Sequence, residues 1–183
     1  MTSLSLRGQL LIAGPTLLDP NFLRTVILLG EHSGDGAMGV ILNRPSETPV
    51  AEAVPGLAEV AADEALLHIG GPVQPAAVTA LVDFHNPEEA ATIVFGTIGF
   101  AQGDADTSLL AAATRRARIF AGYAGWSPGQ LDAEVEQGDW ILASPQPDDV
   151  FSDEGFGLWA SVLRRQGGRF ALLARMPLDP SMN

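Results

Sequence analysis

Residues Thr25–Pro45 read "TVILLGEHSGDGAMGVILNRP" and admit two incompatible structures. In one, "GDGAMG" (Gly34–Gly39) is a G-x-G-x-x-G dinucleotide fingerprint, with Glu59 standing about 20 residues on where such motifs carry an acid. That fingerprint must follow a strand and open a helix. Here "VILNRP" follows, β-branched and ended by Pro45. In the other structure the glycines and Asp35 supply the positive φ angles of a hairpin turn between strands Val26–Glu31 and Ala37–Asn43. A tight turn joins antiparallel neighbours. The second reading uses every residue, so an antiparallel sheet is expected and no cofactor.

Working outward, Leu10–Ala13 reads as a strand, linked to the hairpin by "GPTLLDPNF" with its two prolines. Downstream, a short helix is expected at Val50–Ala53, then strands at Leu66–Ile69, Val78–Phe84 and Thr92–Phe95. Asp106 or Thr107 caps a helix that gives way near Arg116 to a strand-like "ARIFAGYAG". A helix over about Pro128–Glu136, a strand at Trp140–Ala143 and a helix at Phe156–Gln166 complete the chain, the last stopped by Gly167-Gly168. Hairpins first and mixed elements later predict an α+β fold with a mainly antiparallel or mixed sheet. The length fits one domain, residues 1–183.

Composition narrows the function. Apolar residues make up 46% and charged residues 17%, a globular balance. There is no cysteine, which excludes disulfides, zinc–thiolate sites and thiol nucleophiles. The start, "MTSLSLRGQLLIAGP", lacks the order of a secretory signal, and no segment has the roughly 20 apolar residues of a membrane span. A soluble, cytoplasmic protein is expected. The net charge is −12, and all ten basic residues are arginines. Such a surface repels phosphate backbones at long range, which disfavours nucleic acid. Seven arginines fall after residue 110 (Arg115, Arg116, Arg118, Arg164, Arg165, Arg169 and Arg175). Several are expected to neutralise helix C-termini.

"GYAGWSPGQLDAEVEQGDW" (Gly122–Trp140) contains G-x-S-x-G, the serine-hydrolase elbow. An oxyanion hole there needs the N–H of the residue after the serine, and that residue is Pro128. His32, His68 and His85 all precede Ser127, against the usual order of that fold. The structural reading makes Ser127 an N-cap, Pro128 the first helical residue and Gln130 the partner that completes a capping box. No catalytic residue is assigned. His32, Asp35, His68 and His85 show no metal-ligand spacing, and "PDDVFSDEG" (Pro147–Gly155) reads as a solvated acidic loop, so no metal is expected.

Four pieces together resemble the AlgH/YqgE family of bacterial proteins: Leu10–Pro45, "HIGGPV" at His68–Val73, Gly122–Trp140, and "MPLDPSMN" at Met176–Asn183. "GGPVQPAAVTALVDF" departs from the more glycine-rich link of that family. The resemblance implies an α+β fold with a small closed or bifurcated β-sheet flanked by short helices. It implies no reaction. Members have been linked to transcriptional regulation of exopolysaccharide synthesis, yet no helix-turn-helix signal occurs here.

The leading expectation is a non-catalytic binding or regulatory domain whose partner is a protein or a small anionic ligand. A transcriptional regulator is the alternative, and a hydrolase the third. The expected surface combines Arg24, His32, Asn43 and Arg44, converging near the backbone amides of Gly70 and Gly71. Local roles stand beside it: Arg24 pairing with Asp19, Asn43 bonding in a turn before Arg44-Pro45, and His32 capping the hairpin.

Overall fold

The computed structural model describes residues 4–177. Most of "MPLDPSMN" therefore lies outside the described residues. The hairpin forms: β2 (Val26–Ser33) and β3 (Gly36–Ile41) pair antiparallel with Ser33 opposite Gly36. Glycine is required at Gly36, where φ is 133° and a Cβ would sit 2.4 Å from the Trp126 carbonyl oxygen. No helix follows it, so the dinucleotide geometry is absent from this turn.

β1 (Leu10–Ala13) lies between β2 and β10 (Trp140–Ala143), antiparallel to both. The remaining strands are β4 (Pro45–Pro49), β5 (Leu66–Ile69), β6 (Val73–Phe84), β7 (Thr92–Phe95), β8 (Ile98–Phe100) and β9 (Thr114–Trp126). Among the described residues the order is β10-β1-β2-β3-β9-β6-β8-β7, antiparallel at every step. β4 and β5 branch off, and β5 joins β9 in the sheet's parallel pairing. The sheet forks rather than closes. On one edge β9 pairs with β6; on the other it meets β5 at Phe120–Ala121 and then β3 at Ala124–Trp126.

Glycines make the fork possible. Gly122 takes φ 73°, and Gly71 crosses so close that a Cβ on it would lie 2.1 Å from the Tyr123 carbonyl carbon. Gly70 N–H donates to the Ala121 carbonyl at 2.8 Å, and Gly70 accepts from Ile41 N–H at 2.9 Å. The chain therefore bonds to both arms at this crossing.

Helices cover the sheet. Both faces of β1 and β2 are buried, which explains their unbroken aliphatic runs. Leu10, Ile12, Val26 and Leu28 pack under α5 (Gly157–Gln166) through Trp159, Val162 and Leu163. Leu11, Ala13, Ile27 and Leu29 pack with Leu131 of α3 (Gln130–Gln137) and with Trp126 and Trp140. On the other arm, Val82, Phe84 and Ile119 pack with Val50 of α1 (Val50–Ala53) and Leu110 of α2 (Thr107–Ala113). The Asp106 carboxylate caps α2, accepting from Ser108 and Leu109 N–H at 2.9 and 3.0 Å.

Several expectations need correction. α3 begins at Gln130, after Gly129 in the left-handed conformation at φ 75°, and no side chain caps it. Ser127 is thus not the cap, and Pro128 lies in the preceding turn. Half the expected box exists: Gln130 Oε1 accepts the Ser127 N–H at 3.0 Å. "PDDVFSDEG" is not wholly a solvated loop. Pro147–Val150 forms a turn of helix, α4, in which Asp149 is buried and bidentate to Arg165 at 2.7 and 2.7 Å. A last short helix, α6 (Gly168–Leu173), packs on α5.

Candidate functional site

The residues expected to bind are placed as follows. Asn43 is buried, accepts from Val26 N–H at 2.9 Å and donates to the Arg24 carbonyl at 2.9 Å. Arg44 Nη2 donates to the carbonyls of Pro20 and Leu23 at 3.2 and 3.0 Å. Those bonds hold the loop between β1 and β2, the task expected of Arg24. The Arg24–Asp19 pair does not form. Arg24 has φ 53°, lies 4.4 Å above the Trp159 ring and donates to the Met176 carbonyl at 2.5 Å. Asp19 instead accepts the Asn21 N–H at 2.8 Å. Arg24, Asn43 and Arg44 are thus neighbours, and the Ile69 N–H bond to the Arg44 carbonyl at 2.8 Å brings β5 beside them.

His32 is elsewhere. Its Nδ1 accepts the Leu6 N–H at 2.9 Å and its Nε2 meets Asp132 Oδ2 at 3.3 Å. It ties the start of the chain and α3 to β2 rather than capping the hairpin. Gly70 and Gly71 serve the strand crossing, and the Gly70 amide is engaged by Ala121. The six residues do not converge on a free surface.

A different place does gather polar groups around space. β5 and β9 pair only at His68↔Phe120 and Ile69↔Ala121, then part. Between them opens a cleft of about 750 Å³, walled by Ala65, Leu66 and His68 on one side and Thr114–Ile119 on the other. The segment Phe151–Asp153 also lines it, beside Arg118. Arg115, Arg116 and Arg118 stand along the β9 wall, while Glu59, Asp63 and Glu64 line the opposite side.

The arginines are held unequally. Arg115 and Arg116 share Asp83, whose side chain is only 6% exposed and which also accepts the Thr97 hydroxyl at 2.6 Å. Arg116 reaches Asp148 at 2.9 Å, and Arg118 reaches Asp153 at 2.9 Å; these carboxylates are 90% and 97% exposed. Arg118 is 12% exposed and donates also to the Ser152 carbonyl. Arg115, Arg116 and Arg118 therefore neutralise acids on other elements. They do not sit at helix C-termini, as Arg164 and Arg165 do.

His68 sits at the narrow end of the cleft. It is buried against Phe120, edge to face at 5.9 Å, and Nδ1 donates to the Leu66 carbonyl at 3.1 Å. Burial first, and the Arg118 cation second, push its pKa down to about 4. The ring is neutral near pH 7, with Nε2 left as an acceptor. The hydroxyls lining the cleft do not engage it. Thr114 donates to the Leu110 carbonyl, and Ser152 Oγ accepts the Glu154 N–H. Among the described residues no group of three or more His, Asp or Glu could hold a metal ion.

Comparison with known proteins places the chain. A family model described as DUF179, AlgH-like, matches residues 10–171. The chain belongs to the AlgH-like family. It is similar to the UPF0301 protein of Streptomyces avermitilis, 42% identical over 98% of this chain and 96% of that protein. The UPF0301 protein of Thermobifida fusca is 44% identical over 100% and 98% of the two chains. Among AlgH-like structures, the solution structure of the AlgH protein from Pseudomonas aeruginosa superposes with a TM-score of 0.72 at 29% identity, covering 97% of each chain. A crystal structure of a Corynebacterium diphtheriae protein gives 0.86 at 30% identity, over 96% of this chain and 95% of that one. The forked antiparallel sheet with flanking helices is thus a shared architecture. No described helix is long and apolar enough to cross a membrane.

Proposed function

We propose that this AlgH-like chain is a non-catalytic, cytoplasmic binding domain that works as one unit in regulation, with an anionic ligand site in the cleft between β5 and β9. The observation that carries this reading is the unequal pairing of the arginine row. Asp148 and Asp153 are almost fully exposed; the pair of Asp148 with the partly exposed Arg116 contributes only about 0–1 kcal/mol, and Asp153 regains water when it leaves Arg118. An incoming anion displaces them at small cost. Arg118 is mostly withdrawn from water, where a replacement carboxylate gains a stronger charge-assisted bond. The bonding of His68, Thr114 and Ser152 supports binding over catalysis, since no hydroxyl is paired with the base.

Direct regulation through duplex DNA is the weaker reading. The net charge of −12 repels a long phosphate backbone as a whole, whereas a small anion meets only the arginine row of the cleft.

Citrate is a suitable probe. Titration followed by NMR is expected to shift the amides of Thr114–Ile119 and the Arg118 Nε–H in a saturable way, and Arg115→Gln is expected to weaken the effect. No saturable change up to roughly 10 mM, where binding is worth under about 3 kcal/mol, removes the reading.

A further inference from the structure

β9 has a free edge inside the cleft. Its β6 side is paired from Thr114 to Tyr123. Its other side meets β5 only at Phe120 and Ala121, so among the described residues no strand lies along Thr114–Ile119. The register against β6 shifts at Arg115, so the regular part of this edge is Arg116–Ile119, four residues or about 13 Å. Unpaired backbone donors and acceptors on such an edge are a template for another chain.

The protein also displays what chemistry this wall accepts. Arg118 already holds a polypeptide: the Ser152 carbonyl, the Phe151 carbonyl at 3.5 Å and the Asp153 carboxylate. Asp148, from the same acidic segment, reaches Arg116. That segment is anchored from behind by the bond of buried Asp149 to Arg165, so its outer carboxylates can leave without unfolding it.

Strand alternation sets the pattern of the occupant. Arg116 and Arg118 share the face of Phe120, and the register shift at Arg115 lets it join Arg116 on Asp83, while Ala117 and Ile119 share the face packed with Val60 and Val82. A strand laid beside them meets cations on one face and apolar groups on the other.

We infer that the cleft takes an extended peptide of a partner protein, alternating acidic and apolar, added as a strand along the free edge of β9. This rests on the anionic reading of the cleft. A lone phosphate or carboxylate leaves the edge unpaired. A second copy of β9 sets the same arginines against each other, and like charges directly opposite destabilise strand pairs. A uniformly acidic segment meets Glu59, Asp63 and Glu64 across the cleft.

The test uses the full chain and a labelled Val-Asp-Val-Asp-Val-Asp-Val peptide, followed by fluorescence anisotropy and amide hydrogen exchange. Saturable binding is expected, with new protection of amides within Thr114–Ile119. Replacing Asp with Lys is expected to weaken binding at least about tenfold. N-methylating the amides that face β9 is expected to do the same, since the backbone bonds they donate are lost. Arg115→Gln, at a side chain 51% exposed, weakens binding with the fold intact. Equal binding of the N-methylated peptide, or unchanged exchange along β9, overturns strand addition. Equal binding of the lysine peptide overturns the charge assignment. Citrate shifts in the cleft without peptide binding remove this inference alone; absence of both removes the anionic reading as well.

Discussion

The Trp126 indole N–H donates to Glu134 Oε2 at 2.9 Å, and the Trp140 indole donates to the same oxygen at 2.9 Å. One carboxylate on α3 thus joins the end of β9 to the start of β10, whose indoles meet edge to face at 6.0 Å. The stretch Gly122–Trp140 that imitates a hydrolase elbow is a clamp. Glu134→Leu leaves two indole donors unpaired and is expected to cost about 2–4 kcal/mol, while Glu134→Gln keeps an acceptor and costs less than half of that. Urea unfolding read by tryptophan fluorescence compares them; equal losses contradict the clamp.

Ser127→Ala is expected to change stability by no more than about 0.5 kcal/mol, because no side chain caps α3. Gln130→Ala removes the acceptor of the Ser127 N–H and a bond to Glu134 at 2.9 Å, and is expected to cost about 1–2 kcal/mol. If thermal melts rank the two variants the other way, the serine hydroxyl is a cap after all.

Arg44→Ala frees the carbonyls of Pro20 and Leu23 and is expected to lower stability by about 1–3 kcal/mol. Arg24 has a second peculiarity, its positive φ. Arg24→Gly loses the contact with Trp159 but relieves the backbone, so it is expected to be about 1 kcal/mol more stable than Arg24→Ala. Chemical denaturation of the pair checks this; a more stable alanine variant rules out the left-handed backbone at residue 24.

His68 binds its proton more weakly folded than unfolded, with a pKa of about 4 against an ordinary 6.5. Between those values the unfolded chain carries more protons, so its contribution to stability is complete above pH 6.5 and is lost as pH falls toward 4. The full swing is about 3 kcal/mol. His68→Gln is expected to remove that part of the acid sensitivity in unfolding curves from pH 7.5 to pH 4. An unchanged pH slope means the ring binds its proton equally well folded and unfolded, against the burial argument.

Gly71→Ala places a methyl inside the Tyr123 backbone and is expected to prevent folding of the fork, whereas Gly34→Ala meets nothing within 4 Å. Circular dichroism and amide spectra of the two proteins separate them. A native Gly71→Ala spectrum argues against the close crossing.

The local elements were legible where side chains state their own environment. Leu10–Ala13, Leu66–Ile69, Thr92–Phe95 and Trp140–Ala143 match their expected bounds because each is a short aliphatic or aromatic run between turn residues. β4 was not, since Pro45 and Pro49 bound a polar, partly exposed edge strand. β6 starts five residues before the expected Val78, because Gln74–Ala77 bulge out between the pairs Val73↔Tyr123 and Val78↔Ala121. The fork depends on which backbone meets Gly71, a contact 51 residues away along the chain at Gly122 that no local pattern records.

The site was less legible for the same reason. The cluster Arg115, Arg116 and Arg118 is visible as composition, but its partners Asp83, Asp148 and Asp153 come from distant segments. Arg24, Asn43 and Arg44 are legible as polar groups at strand ends. They stand together because a loop with turning backbone needs side-chain partners for its main-chain groups.

β9 is the strand on which both arms of the sheet depend, and it is made late. When the ribosome has finished β3, the edge that will receive Ala124–Trp126 is bare. The roughly 85 residues still to come before β9 is complete take about 4–17 s at typical synthesis rates. Over that interval β1, β2 and β3, the most aliphatic part of the molecule, wait with the outer edge of β3 unpaired. A nascent chain halted after β8 should be cut readily by protease within Val26–Ile41, and one halted after β10 should resist.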